Sequence, residues 1–324
     1  MNRRVFFMVI FLIFNLCFYN NTFAAENKNI NYLELGDDSY KLEKYDEALK
    51  YFNEAIKQNP KNAEVYYRLG KVYIKQEKTT DAIKCFDNVI KLDPKYVDAY
   101  FAKAYILYNA ENYTDAINCY DSIIKIDPES ADAYYSKGIC LFDAGNYQDA
   151  ISNYDKAIKY DSTNSEYYIT KARALRSMKK LEEALKVYDQ AIAVDSKNDT
   201  IYVGKSTIYV LLKDYEKAIL CLNTAIELDD TNSDAFTSKG IVLLFQGKFK
   251  NAIELFDKAI VLNPEDHAAY YEKSAALSVL NNKDEALKWL KKAIEINPDY
   301  RAQAQNWNFF NNIRNTKEFK ELVK

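Results

Sequence analysis

The chain predicts an all-α fold, a solenoid of tandem helix–turn–helix units closed by a C-terminal capping helix. Three observations carry this. A 34-residue period runs from about residue 29 to residue 300 with no residue gained or lost between copies. Each period holds two stretches whose apolar residues recur at helical spacing. The 324 residues include only seven glycines and five prolines, which suits long helices and short turns rather than sheets or linkers.

The period is marked first by an alanine, at Ala48, Ala82, Ala116, Ala150, Ala184, Ala218, Ala252 and Ala286. Sixteen residues before it stands an aromatic: Tyr32, Tyr66, Tyr100, Tyr134, Tyr168, Tyr202, Phe236 and Tyr270. Four residues after that aromatic comes a small residue: Gly36, Gly70, Ala104, Gly138, Ala172, Ser206, Gly240 and Ser274. Four residues after the alanine comes a bulky one: Phe52, Phe86, Tyr120, Tyr154, Tyr188, Leu222, Phe256 and Leu290. Small residues let two helix backbones approach, and large ones fill the angle between them. One such pair cannot bury its apolar face alone, but stacked copies can. Proline closes five copies, at Pro60, Pro94, Pro128, Pro264 and Pro298; Ser162, Ser196 and Asp230 stand there in the others. Each of these residues can stop a helix or cap the next.

These residues resemble the tetratricopeptide repeat, a 34-residue helix–turn–helix unit with the same small and aromatic positions. The resemblance implies a right-handed superhelix of eight tandem repeats, at 29–62, 63–96, 97–130, 131–164, 165–198, 199–232, 233–266 and 267–300. The chain departs from the family where a leucine is usual, three residues after the first aromatic. Only Leu35 and Leu69 comply; the later copies carry Lys103, Lys137, Lys171, Lys205, Lys239 and Lys273. A lysine at a helix–helix seam needs a partner. Asp87, Asp121, Asp155, Asp189 and Asp257 each lie sixteen residues before one of these lysines, and Asn53 precedes the uncharged Leu69. The spacing predicts a ladder of Asp–Lys pairs, each joining one repeat's second helix to the next repeat's first.

Before the repeats, residues 1–24 read as a signal peptide. Arg3 and Arg4 precede an apolar run from Val5 to Tyr19, and Thr22 and Ala24 fit the cleavage rule, giving a mature start at Ala25. The run is short for a membrane span. The expected location is therefore periplasmic or extracellular, with membrane contact only through this segment before cleavage. An uncleaved segment gives a membrane-tethered scaffold instead, and Cys17 raises a lipid-anchor alternative that Phe14, Asn15 and Leu16 fit poorly.

After the repeats, residues 301–324 form a cap. Arg301 to Trp307 begins like a further first helix, and Asn315 or Thr316 can cap a last helix that turns Phe319, Leu322 and Val323 to one side. Solenoids need such a closing element.

The net charge is −3, and removing Arg3 and Arg4 leaves 42 basic against 47 acidic residues, or −5. That balance, with no dense basic patch, argues against a nucleic-acid partner. Cys85, Cys119, Cys140 and Cys221 read as small core hydrophobes rather than a redox or metal set. His267 is the single histidine, too few for a paired metal site or an assisted nucleophile. Gly204-Lys205-Ser206 imitates the end of a phosphate-binding loop but lacks the earlier glycine and lies inside a first helix. Neither an enzymatic role nor a cofactor is expected.

The function is therefore sought on the surface, as a scaffold for a protein or peptide. In the resembled family the first helices line a concave groove. The positions carried over here include Tyr67, Phe101, Tyr105, Tyr108, Tyr135, Phe142 and Tyr271, an unusually aromatic set suited to contact with a peptide. Arg173 and Arg176 interrupt it and could anchor an anionic group. The lysine–asparagine clamp of the chaperone-binding members is not matched. An accessory subunit of a cell-envelope enzyme or assembly complex is the alternative reading.

Overall fold

The structure is a computed structural model that describes residues 31–324; the expected signal peptide, with Cys17 and the Ala24 cleavage site, lies outside the described residues. Among the described residues there are eighteen α-helices, one 3-10 turn and no strand. Their contacts divide into two compact units, one up to Pro128 and one from Glu129 onward.

The first unit holds α1 (Tyr32–Lys41), α2 (Tyr45–Gln58), α3 (Ala63–Lys75), α4 (Thr79–Leu92), α5 (Val97–Asn109) and α6 (Tyr113–Ile126). The second begins with α7 (Ala131–Asp143), α8 (Tyr147–Tyr160), α9 (Ser165–Ser177), α10 (Leu181–Val194), α11 (Asp199–Leu211) and α12 (Tyr215–Leu228). It continues through α13 (Ser233–Phe245), α14 (Phe249–Leu262), α15 (His267–Val279) and α16 (Lys283–Ile296). It closes with α17 (Tyr300–Asn306), a 3-10 turn (Asn308–Phe310) and α18 (Lys317–Leu322). Within each unit consecutive helices pack in antiparallel pairs, and each pair packs on the next.

The turn inside each pair has one design. The residue after the first helix's last turn takes a left-handed conformation, at Glu43, Glu77, Glu111, Gly145, Lys179, Lys213, Gly247 and Asn281. Paired backbone hydrogen bonds close it, such as Glu77 N–H to Ile74 O at 3.0 Å and Lys78 N–H to Tyr73 O at 2.9 Å. This is the Schellman arrangement, which satisfies otherwise orphaned carbonyls. First helices are opened by side-chain caps, among them Asn62, Ser130, Asn164, Asn198, Asn232 and Asp266.

The marker alanines are fully buried, and so are the bulky residues four places on, such as Phe86, Tyr154 and Phe256. A Cβ placed at Gly70 would lie 2.7 Å from the Phe86 ring, and one at Gly138 would lie 2.5 Å from the Tyr154 ring. The small position is small because the ring of the paired helix sits against its backbone.

Four of the expected Asp–Lys pairs form. Lys103 Nζ lies 2.6 Å from Asp87, Lys171 Nζ 2.6 Å from Asp155, Lys205 Nζ 2.5 Å from Asp189 and Lys273 Nζ 2.5 Å from Asp257. Each joins a second helix to the first helix that follows it. The fifth, Asp121 with Lys137, stays an expectation. Burial pulls the Lys103 and Lys205 ammonium groups down, but the hydrogen bond and charge of the facing aspartate outweigh it, and both end above the usual lysine value. Lys273 is the most enclosed, its side chain 9% exposed, with its nitrogen 3.8 Å from the Trp289 ring centre.

The C-terminal segment seals the second unit. Phe310, Ile313, Phe319 and Val323 join one core with Ala275, Leu277, Leu290 and Ile294. Thr316 caps α18 by accepting from Phe319 N–H at 3.2 Å.

Candidate functional site

In the first unit, Tyr67 is half-buried, its ring tilted against Phe86 and Tyr96 with centroids 5.8 and 5.2 Å away. Phe101 packs edge-on to Tyr120 at 6.0 Å, and Tyr108 against Tyr113 at 5.9 Å. Tyr105 is 59% exposed, the most solvent-facing of the expected aromatics. An expected lining that packs this way is partly structural: one edge of each ring supports the neighbouring helix and the other stays open.

A polar cluster that the sequence reading missed lies beside Tyr67. Arg68 makes 2.7 Å contacts to both Asp37 and Glu64, and the Tyr96 hydroxyl donates to Glu64. Lys71 stands 5.6 Å over the Tyr40 ring and 5.9 Å from that of Tyr67. A recess of about 250 Å3 opens among Asp37, Tyr40, Lys41, Phe52, Arg68 and Lys71. The Glu64–Arg68 spacing of four residues was the available signal; the Asp37 contact crosses to another helix and leaves no local trace.

In the second unit, Tyr135 lies 4.8 Å from the Tyr167 ring and 6.0 Å from that of Tyr154. Tyr167 donates to Asp132 at 2.9 Å. Phe142 packs edge-on to Tyr147 at 5.3 Å, and the Arg173 guanidinium sits 5.7 Å over its face. Arg173 is exposed and Arg176 half-buried, and among the described residues neither is in a salt bridge.

One expected contact residue is not at a surface. Tyr271 is only 4% exposed, stacked on Tyr300 at 4.1 Å and on Trp307 at 5.2 Å, with Phe310 edge-on. The chain's own C-terminal segment covers it, so Tyr271 is core and not groove. The reason is that Tyr300, Trp307 and Phe310, which follow the last helix pair, pack their rings over it.

The chemical candidates dismissed from sequence have structural roles. Lys205 and Ser206 lie within α11, Lys205 in its ion pair and Ser206 donating to Val203 O at 2.7 Å. His267 opens α15 with Nδ1 3.0 Å from the Tyr300 hydroxyl. Burial pushes the thiols up, to about 12 for Cys85 and Cys140 and about 11 for Cys119. Thiols so placed pack as small hydrophobes and react poorly.

Family models described as tetratricopeptide or TPR repeats match residues 36–77, 141–193, 175–239 and 237–301. The model of anaphase-promoting complex subunit 3 matches residues 79–157. The chain belongs to the tetratricopeptide repeat family. Among solved structures, yeast Tom70 is 21% identical with a TM-score of 0.60, over 78% of this chain and 55% of that one. A tetratricopeptide repeat protein from Parabacteroides merdae is 17% identical with a TM-score of 0.59, over 76% of this chain and 98% of that one. The C-terminal part of a repeat protein from Cytophaga hutchinsonii is 17% identical with a TM-score of 0.60, over 74% and 98%. At such identities the likeness is one of fold. This chain thus spans about half of Tom70 and nearly all of the two bacterial structures. No curated protein sequence matches it significantly.

Proposed function

We propose that this protein is a non-catalytic scaffold that holds a protein or peptide segment against the aromatic faces of its first helices. The observation that supports it most is Tyr105, a large ring 59% exposed on a first helix. Phe142 beneath Arg173 supplies a second contact of the same kind. Half-packed aromatic rings offer rigid contact area at little entropic cost. Arg173 and Arg176 suit an anionic group on the partner. The scaffold acts outside the cytoplasm, since Arg3, Arg4, the Val5–Tyr19 run and Thr22/Ala24 have the pattern of a cleaved export signal.

Affinity capture with the chain from its native host, read by mass spectrometry, tests the binding. A specific partner should be retained by the parent chain and lost with Tyr105→Ala or Phe142→Ala, with helicity unchanged. Equal capture by parent and variants overturns the assignment of those faces. N-terminal sequencing tests export: a start at Ala25 is expected, and retention of Met1 or a lipidated Cys17 overturns it.

A further inference from the structure

A recess of about 350 Å3 in the second unit is lined by Tyr271, Glu272, Gln303, Asn306 and Trp307. Its floor holds an anomaly. The Oε2 atom of Glu272 is closed to solvent and has no hydrogen-bond donor, and the Tyr271 hydroxyl beside it also has no partner. Buried carboxyl oxygens are normally satisfied, and leaving one bare costs the group its desolvation with nothing in return. Burial alone holds the Glu272 carboxyl up at about 8, with no neighbouring cation to bring it down. The titratable groups that sense it are Tyr271 on its own helix and Tyr300 at the start of α17, both pushed upward by burial and both neutral across the ordinary pH range.

The lining selects the ligand. It contains one acid, one indole, one phenol and two amides, and no cation. An anion would face the carboxylate, and a purely apolar group would give the acid of the lining no partner. A cation meets both the carboxylate and the aromatic wall. Among side-chain cations, a guanidinium is the less strongly hydrated, and its planar fork can donate to several acceptors at once. The Glu272 carboxylate and the side-chain oxygens of Gln303 and Asn306 are such acceptors.

We propose that this recess takes the guanidinium of an arginine side chain on a protein partner, with Glu272 as its ion-pair acceptor and Trp307 as its aromatic wall. The proposal rests on the reading that the partner is a protein, but it uses none of the faces named for that reading. Binding displaces the proton from Glu272, so affinity for arginine rises with pH up to the value at which the free carboxyl ionises.

Titration calorimetry of the full chain with the acetyl-Gly-Arg-Gly-amide tripeptide tests this, against lysine and citrulline counterparts. The arginine peptide should bind roughly tenfold or more tighter than the uncharged citrulline peptide, and roughly tenfold tighter at pH 8.5 than at pH 6.5. The lysine peptide should bind more weakly than the arginine one. Glu272→Gln should abolish the difference between arginine and citrulline. Asn306→Lys, which adds a cation at the exposed rim and leaves the core untouched, should abolish arginine binding with an unchanged melting temperature. Equal binding of arginine and citrulline, equal binding of arginine and lysine, or undiminished binding by both variants overturns the proposal. If the tripeptide fails while capture through Tyr105 and Phe142 holds, only this inference falls.

Discussion

At the scale of single residues, Glu272 and Tyr154 each carry a free-energy cost that their neighbours do not offset. Glu272 is the first. Its folded value, about 8, lies above the ordinary carboxylate value of 4.5. The folded state therefore holds a proton that the unfolded chain has released, and stability falls as pH rises from about 4.5 to about 8. Glu272→Gln should leave stability unchanged near pH 4 and raise it above pH 8, by at most a few kcal/mol. Thermal melts across that range measure it; a variant whose stability tracks the parent at every pH would show that the carboxyl is solvated. Tyr154 is the second. Its ring fills the helix angle against Gly138, but its hydroxyl is buried without a partner. The equivalent residues Phe52, Phe86 and Phe256 lack that hydroxyl. Tyr154→Phe removes an unsatisfied polar group and keeps the shape, so it should stabilise by about 1 kcal/mol. A lower midpoint in a urea melt would mean that the hydroxyl has a partner in solution.

At the scale of helices, the contacts are set by a small residue against a ring and by a charge against a charge. Ala150 is fully buried on α8. Ala150→Leu overpacks this contact and should cost about 1–3 kcal/mol; a melt matching the parent would place Ala150 away from any helix contact. Both the alanine period and the lysine–aspartate spacing were legible in the sequence, because the alanine recurs in every copy, the charged pair recurs at most junctions between copies, and a helix pair has few ways to use such a spacing. What the lysines gain besides was not legible: Lys273 lies over Trp289 as well as beside Asp257, and the indole comes from a helix later in the chain. Asp257→Asn leaves the enclosed Lys273 with only the indole, so it should cost about 1–3 kcal/mol, less than a fully buried pair because Asp257 is itself half exposed. Asp87→Asn, at the more exposed Lys103, should cost about 0.5–1 kcal/mol. Equal losses at the two sites in chemical denaturation would show that enclosure does not set the strength of the pair. Because Lys103 and Lys205 lie above the usual lysine value, their pairs are fully present below the unfolded lysine value and are lost only as pH rises through the folded one.

At the scale of the molecule, the repeated fold was readable before its surface was. The buried alanines and rings recur every 34 residues, so the helix pairs followed from arithmetic. Tyr271 did not follow. It holds a first-helix position equivalent to Tyr67, Phe101 and Tyr135, yet it is core, because Tyr300 and Trp307 cover it. Tyr300 closes the last repeat at the position of Tyr96, but no periodic rule reports Trp307, which lies outside the period. The segment that holds Trp307 leads to the last prediction. In a stacked array, stability is a sum of local and nearest-neighbour terms, and an end without a cap exposes its apolar face. Residues 301–324 supply Phe310, Ile313, Phe319 and Val323 to the core around Ala275, Leu277, Leu290 and Ile294. Burying each large apolar side chain contributes about 1.5–3 kcal/mol, before the entropy of ordering the segment is subtracted. Deleting 301–324 should therefore cost several kcal/mol, concentrated in α15 and α16. Hydrogen exchange should show protection lost first in those two helices, while α7 to α10 keep theirs. Uniform loss along the second unit would mean that it unfolds as one block, and unchanged protection in α15 would mean that the segment does not seal the core.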